Sequence, residues 1–278
     1  MSKTAILFPG QGSQTPDMRA DVVRLRPDLL SASVEVLGED PFGRVDDGTR
    51  YAQPAIFCAS LAGWEALGRP DGDYMAGHSL GELAALVAAG SLTERDGLAL
   101  VALRGRLMQE SGEAAGDGGM LALLGQGAAD HAPELAATHG LAVANDNSPQ
   151  QVVLSGARSA LPAAAAGACE LGLRAMELPV TGAFHSPMMA SAVPEFEAAL
   201  ARVEVSPPRV TVLSAVTAQP FDDVRARLAQ ALTMPVRWRE TLLAMRDLGA
   251  DRYVEVGPGR VLTGLVKRTL RDVELAHA

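Results

Sequence analysis

The sequence predicts an α/β fold, with a large domain built on a parallel sheet and a smaller antiparallel unit inserted into it. Three observations carry this. Short apolar segments alternate with Ala- and Leu-rich segments of helical length, the pattern of parallel strands joined through covering helices. A turn-rich stretch from Ser111 to Gly119 then breaks that rhythm. Beyond it the order becomes strand, helix, strand, strand, helix, strand, which is a ferredoxin-like βαββαβ unit. Residues 1–116 and 183–278 are therefore expected to form one discontinuous α/β domain, and 117–182 the small ferredoxin-like one.

Each element has its own signal. Thr4 to Phe8 is a short apolar run that reads as a buried strand, and Pro9-Gly10-Gln11-Gly12-Ser13-Gln14 is the turn that ends it. Met18 to Leu37 and Gln53 to Leu67 carry helical patterns. Asp73 to Ala76 reads as a strand and Leu83 to Ala89 as a helix. A further helix covers Leu92 to Glu110, with Thr93 to Asp96 resembling a capped start. In the small unit the strands are Met120 to Leu124, Leu141 to Asn145, Gln151 to Ser155 and Leu173 to Leu178. Its helices are Ala128 to His139 and Leu161 to Leu171, the second with Pro162 in its first turn. The chain re-enters the large domain at Pro179 to His185. A long helix is expected over Pro187 to Val203, and the last strands at Val210 to Leu213 and Asp251 to Val256.

Bulk properties exclude several function classes. Hydrophobic residues make up 48% of the 278, which is ample for a core, while aromatics are only 4%, so Ala, Leu and Val must fill it. The net charge of −9 disfavours non-specific binding of nucleic acid. It also means that an anionic substrate must be drawn in by local basic residues. The N-terminus runs straight into a strand, so no signal peptide is expected. No apolar run approaches the roughly 18 residues of a membrane span. Cys58 and Cys169 are the only cysteines and match neither a metal-binding spacing nor a disulfide framework. No metal or cofactor is expected, and a cytoplasmic location is.

The chemistry begins at Gly77-His78-Ser79-Leu80-Gly81-Glu82. This is G-x-S-x-G, the nucleophile elbow of α/β-hydrolase-like sheets, where a serine sits on a sharp strand-to-helix turn. The turn exposes the hydroxyl and points the Leu80 N–H toward the oxygen of an attacked carbonyl. A serine needs a base within hydrogen-bond reach. His185, between a strand and a helix, is the best candidate, because open α/β sheets place their sites at strand ends. His78 is adjacent to Ser79, where neighbouring side chains diverge, and reads as structural. The turn at Pro9 to Gly12 can offer a second oxyanion donor. By local sequence alone, the elbow also fits a Gly-flanked turn and His185 a core histidine.

Six segments occur in order: Phe8-Pro9-Gly10-Gln11-Gly12-Ser13-Gln14, Gly77 to Glu82, Leu103-Arg104-Gly105-Arg106-Leu107-Met108, Asn147-Ser148-Pro149, Ala183-Phe184-His185-Ser186 and Val256-Gly257-Pro258-Gly259. Together they closely resemble the malonyl-CoA:acyl carrier protein transacylases and the acyltransferase domains of polyketide synthases, from Phe8 to about Arg268. The resemblance implies that Ser79 takes the malonyl group as an ester and that His185 is its base. It implies oxyanion N–H groups from Gln11 and Leu80, and Arg104 as the binder of the malonyl carboxylate. That last role suits a planar guanidinium, which meets a carboxylate through two parallel hydrogen bonds. Asn147 matches the family's active-site asparagine and would order the pocket. The backbone carbonyl that orients the histidine would be that of Ala231, where relatives can carry glutamine. Phe184 matches malonyl-selective members, in which it crowds the α-carbon, while methylmalonyl types usually carry Ser there. Gly182 departs from the commonest polyketide pattern, which has His. The implied partners are malonyl-CoA, as substrate, and an acyl carrier protein or polyketide synthase carrier domain, with no nucleic acid and no membrane. Arg260, Lys267, Arg268 and Arg271 are candidates for a local basic patch facing an acidic carrier.

Three other readings compete. A serine hydrolase would need an acid after the serine and a histidine near the C-terminus, where only His277 stands, in what reads as a polar tail. A transacylase subunit of malonate decarboxylase is a closer rival, but such subunits tend to lack the histidine of the elbow. A non-catalytic module would be expected to have lost Ser79, His185 or Arg104.

Overall fold

The apolar run near the N-terminus becomes an interior strand of the main sheet in the computed structural model, which describes residues 2–277. The chain runs β1 (Lys3–Phe8), α1 (Met18–Leu25), α2 (Pro27–Leu37), a 3-10 segment (Pro41–Asp47), α3 (Thr49–Ala66), β2 (Tyr74–Gly77), α4 (Gly81–Ala88) and α5 (Glu94–Ala115). It continues through β3 (Gly118–Leu124), α6 (Ala128–His139), β4 (Ala142–Ser148), β5 (Gln151–Ala157), a 3-10 turn (Arg158–Ala160), α7 (Leu161–Glu170) and β6 (Arg174–Glu177). After a third 3-10 segment (Pro187–Ala192) come α8 (Val193–Leu200), β7 (Thr211–Ser214), β8 (Gln219–Pro220), α9 (Val224–Gln230), α10 (Trp238–Asp247), β9 (Ala250–Glu255), α11 (Val261–Thr269) and β10 (Glu274–His277).

The main sheet has the order β10-β9-β1-β2-β7-β8. All its pairings are parallel except that of β7 with β8. Successive side chains of a strand point to opposite faces, and both faces are buried here. Ile6, Phe8, Met75 and Val212 enter one core with α3, α4 and α5. Ala5, Leu7, Tyr74, Ala76 and Leu213 enter another with α10 and α11. This explains why β1 and β2 read as apolar runs rather than alternating ones.

The second sheet, β4-β5-β3-β6, is antiparallel throughout, the ferredoxin-like arrangement. Leu121 and Leu123 of β3 pack against α6 and α7. Their neighbours Met120 and Ala122, with Ala144 and Val153, join the core of the large sheet. The two sheets therefore share buried surface, which a reading of sequence segments does not reveal.

The helical stretches around Met18 to Leu37 are α1 and α2, divided at Pro27, which cannot continue α1 and instead opens α2. Three expectations need correction. Helix α3 begins at Thr49 rather than Gln53, since Pro54 lies inside the helix and mimics a first-turn proline. The expected long helix at Pro187 to Val203 is a 3-10 segment followed by α8, with Pro194 near the start of α8. His277 is not in a polar tail but on β10, paired with Glu255 of β9.

The loop Gly257-Pro258-Gly259 is held by Glu255, whose side chain is 1% exposed. Its carboxylate accepts from Leu262 N (2.9 Å), Thr263 N (2.7 Å) and Thr263 Oγ1 (2.6 Å), closing the first turn of α11 from outside the helix. Replacing Glu255 by Ala leaves these donors unpaired. Urea unfolding should show a loss of about 1–3 kcal/mol; an unchanged midpoint and slope would mean that the cap contributes nothing.

Candidate active site

The elbow exists because two glycines let three segments collide without clashing. A side-chain carbon on Gly77 would lie 1.9 Å from the Gly81 carbonyl carbon, and one on Gly81 would lie 2.2 Å from the Phe8 carbonyl oxygen. The end of β1, the end of β2 and the start of α4 therefore meet at backbone contact. Ser79 sits at the apex with φ +54°, left-handed backbone that costs a residue with a side chain about 1–3 kcal/mol. His185 is also left-handed, with φ +57°. These are two strained residues, one on each side of the same hydrogen bond.

That bond joins Ser79 Oγ to His185 Nε2 at 2.9 Å. The other ring nitrogen, Nδ1, lies 2.8 Å from the Ala231 carbonyl oxygen. A carbonyl only accepts, so Nδ1 carries the proton and Nε2 is left bare to accept the serine hydroxyl. His185 is 4% exposed. Burial pushes its pKa from 6.5 down to about 3, and the Arg104 cation and His78 push the same way, against the backbone at Ala231 and Met234. At neutral pH the imidazole is thus uncharged and ready to take a proton.

Arg104 projects from the middle of α5, whose first turn is capped by Thr93 Oγ1 accepting from Asp96 N at 3.0 Å. Its guanidinium is 3% exposed. Nη2 donates to Ser79 Oγ (3.1 Å) and Nη1 to Gln53 Oε1 (2.7 Å). Burial pushes Arg104 down to about 10, which leaves it cationic at neutral pH; the Glu82 carboxylate opposes the shift. Glu82, in the first turn of α4, accepts from Ala215 N at 2.8 Å, and burial pushes it up to about 7. A buried cation stands beside Ser79 with no carboxylate partner within salt-bridge distance among the described residues.

Two site residues were not legible in the sequence. Gln53 Nε2 donates to Thr49 Oγ1 (2.8 Å), and Thr49 donates to the Gln11 side chain (2.9 Å). A chain of hydrogen bonds thus runs from Arg104 through α3 to the turn after β1. The available signal was a glutamine inside the mostly apolar run of α3. The same turn is closed by Ser13 Oγ donating to Gly10 O at 2.8 Å. Gly10 itself packs against the elbow, since a side-chain carbon there would meet the His78 carbonyl at 2.6 Å. Among the described residues, the N–H groups of Gln11 and Leu80 take no part in the backbone hydrogen bonds that hold these turns.

Asn147, at the end of β4, accepts from His78 Nε2 at 2.8 Å, and the His78 ring meets the indole of Trp238 edge-on at 5.4 Å. Burial lowers the pKa of His78, so the ring stays neutral. Phe184 is buried in the main core with its ring against Gly182. A side-chain carbon on Gly182 would meet that ring at 2.9 Å and the Gly112 Cα of α5 at 3.0 Å, which accounts for glycine here. Arg260, Lys267, Arg268 and Arg271 are all exposed on and around α11. Among the described residues, no group of three or more His, Cys, Asp or Glu is placed to hold a metal ion. Among the described residues, no helix is long and apolar enough to cross a membrane.

The acyl transferase domain family matches residues 6–278 of the chain. Over 97% of its length the chain is 38% identical to the polyketide biosynthesis protein ThaF of Burkholderia thailandensis, of which it spans only 24%. It is 36% identical to the malonyl CoA-acyl carrier protein transacylase of Haemophilus influenzae, covering 99% of this chain and 94% of that protein. The crystal structure of the malonyl-CoA:acyl carrier protein transacylase from Xanthomonas oryzae superposes with a TM-score of 0.90 at 35% identity, covering 100% of this chain and 94% of that one.

The depressed pKa of His185 has a direct consequence. The reactive form is the neutral one, so reactivity persists as pH falls through the ordinary imidazole value and is lost only near the depressed one. Modification of Ser79 by phenylmethanesulfonyl fluoride, followed by intact mass, should therefore keep its rate through pH 6.5, the unshifted value, and fall only well below it. Half-loss at or above that value would show that burial does not govern the base.

Proposed function

The chain belongs to the acyl transferase domain family, and from that premise we propose that it moves a malonyl group from malonyl-CoA to the phosphopantetheine thiol of an acyl carrier protein or polyketide synthase carrier domain. It is then an acyl-carrier-protein S-malonyltransferase. The observation that carries the reading is the buried Arg104 guanidinium donating to Ser79 Oγ. An acyl group delivered to that serine meets a cation, and the acyl group best matched to it carries a carboxylate.

The chemistry follows from the geometry. His185 Nε2 takes the Ser79 proton as Oγ attacks the thioester carbonyl. The Ala231 carbonyl holds the imidazolium that forms, in place of the carboxylate of a triad. The oxyanion is stabilised by the N–H groups of Leu80 and Gln11. Collapse breaks the carbon–sulfur bond, and the coenzyme A thiolate leaves with the proton from His185. A malonyl ester remains on Ser79. The carrier thiol then enters, gives its proton to His185 and attacks the ester, and Ser79 recovers its proton as it leaves. No metal or cofactor is needed for either half. Asn147 acts by fixing His78 beneath the serine, and Phe184 narrows the space beside the α-carbon. The exposed residues Arg260, Lys267, Arg268 and Arg271 form a basic approach for an acidic carrier.

Relatives named for both fatty-acid-type transacylases and polyketide biosynthesis leave both pathways as homes for this activity. The unpaired Cys58 and Cys169 support a cytoplasmic setting. A hydrolase reading gains nothing from His277, which lies on β10 at the sheet edge, while His185 already contacts Ser79.

Two substitutions test the reading. Arg104→Ala should lower kcat/KM for malonyl transfer roughly a hundredfold and acetyl transfer only a few-fold; equal losses would mean that the guanidinium does not bind the acyl carboxylate. Phe184→Ser should raise the methylmalonyl-to-malonyl ratio about tenfold, and an unchanged ratio would remove Phe184 from substrate selection.

A further inference from the structure

The base is oriented by a segment that the small domain grips from the side. Ala231 closes helix α9, and the chain runs on through Met234, Pro235 and Val236 into α10. At Val236 it meets β4, an edge strand of the small sheet. The contact is a single parallel bridge, Asn145 with Val236. Val236 N donates to Ala144 O (2.8 Å) and Asp146 N to Val236 O (2.9 Å). One bridge is a weak clasp, and the pairing of β4 with β5 shifts register on both sides of this position.

A side-chain pair closes the clasp. The Asp146 carboxylate is 15% exposed and is held three times by Arg239, at the start of α10. Nε lies 2.9 Å from Oδ1 and 3.0 Å from Oδ2, and Nη2 lies 2.8 Å from Oδ2. The neighbouring Arg237 is occupied by Glu240 and by the Val216 and Thr217 carbonyls, so the fork on Asp146 is that of Arg239. Asp146 stands one residue from Asn147, which holds His78 of the elbow. It also stands across the bridge from the segment whose Ala231 carbonyl holds His185. The ion pair thus lies between the two supports of the reacting atoms.

We propose that Asp146 and Arg239 are a positioning pair that fixes the distance between strand β4 and the Ala231–Val236 segment, and through it the alignment of His185 with Ser79. The inference rests on reading Ser79 as activated by His185, but not on the identity of the acyl group. A bidentate guanidinium–carboxylate pair suits this task, because its planar fork fixes direction as well as distance. A small displacement of the histidine is enough to slow proton transfer.

The test is a double-mutant cycle read by sulfonylation of Ser79 with phenylmethanesulfonyl fluoride, with melting temperature recorded for each variant. Asp146→Asn preserves shape and removes charge; Arg239→Gln removes the fork. Each should slow Ser79 modification about tenfold. The double variant should be no slower than either single one, because the two residues act as a unit. Arg239→Lys, which keeps the charge and loses the fork, should recover part of the rate and separates positioning from simple loss of folded protein. Single variants at the wild-type rate, or losses that multiply in the double variant, would overturn the proposal. A wild-type Ser79 that does not react faster than in His185→Ala would remove the Ser79–His185 reading itself, and the positioning role with it.

Discussion

Everything near the reacting atoms serves one hydrogen bond, from the Ser79 hydroxyl to His185 Nε2, across 106 residues of chain. Both residues are held in left-handed backbone that neither would adopt alone. The surroundings over-determine them: Gly77 and Gly81 allow the elbow to close on β1, and the Ala231 carbonyl fixes the imidazole and its tautomer. The strain is local and the support is not. It comes from the ends of β1 and β2, from α3 and α5, from α9, and from β4 of the small sheet. One face of the small sheet is buried in the same core.

The same burial sets the charges. His185 is neutral because water is excluded and because Arg104 is close by. Arg104 remains cationic, steadied by Gln53 and by the charge of Glu82. A neutral base and a cation beside one hydroxyl fit an incoming anionic acyl group better than a neutral one. The protein's overall charge of −9 works against such a group, so its attraction is a property of the site and not of the whole surface.

Some of this was readable in the sequence because it is local. G-x-S-x-G needs only five residues to specify a turn, and His185 and Arg104 fall in short segments with recognisable neighbours. The alternation of strands and helices likewise exposed both sheets. What stayed hidden depends on contacts between distant segments. Gln53 and Thr49 sit in a helix whose pattern says only that it is apolar, and Pro54 disguised where that helix begins. The link from Asp146 to Arg239 spans 93 residues and carries no motif. Strand β10 is short and mixed in polarity, and only its pairing with β9 makes it a strand. Glu82 reads as an ordinary first-turn acid, and its burial follows from where α4 lands on the sheet.

In the proposed function Ser79 is a relay between two thiols, carrying a malonyl ester between them. The most direct measurement is intact-protein mass after brief exposure to malonyl-CoA, with peptide mapping of the adduct and a chase with a carrier protein's phosphopantetheine thiol. The expected result is one malonyl group on Ser79, stable in buffer and moved quantitatively to the carrier within the time of mixing. An adduct on another residue, or one that water removes as fast as the carrier does, would contradict it.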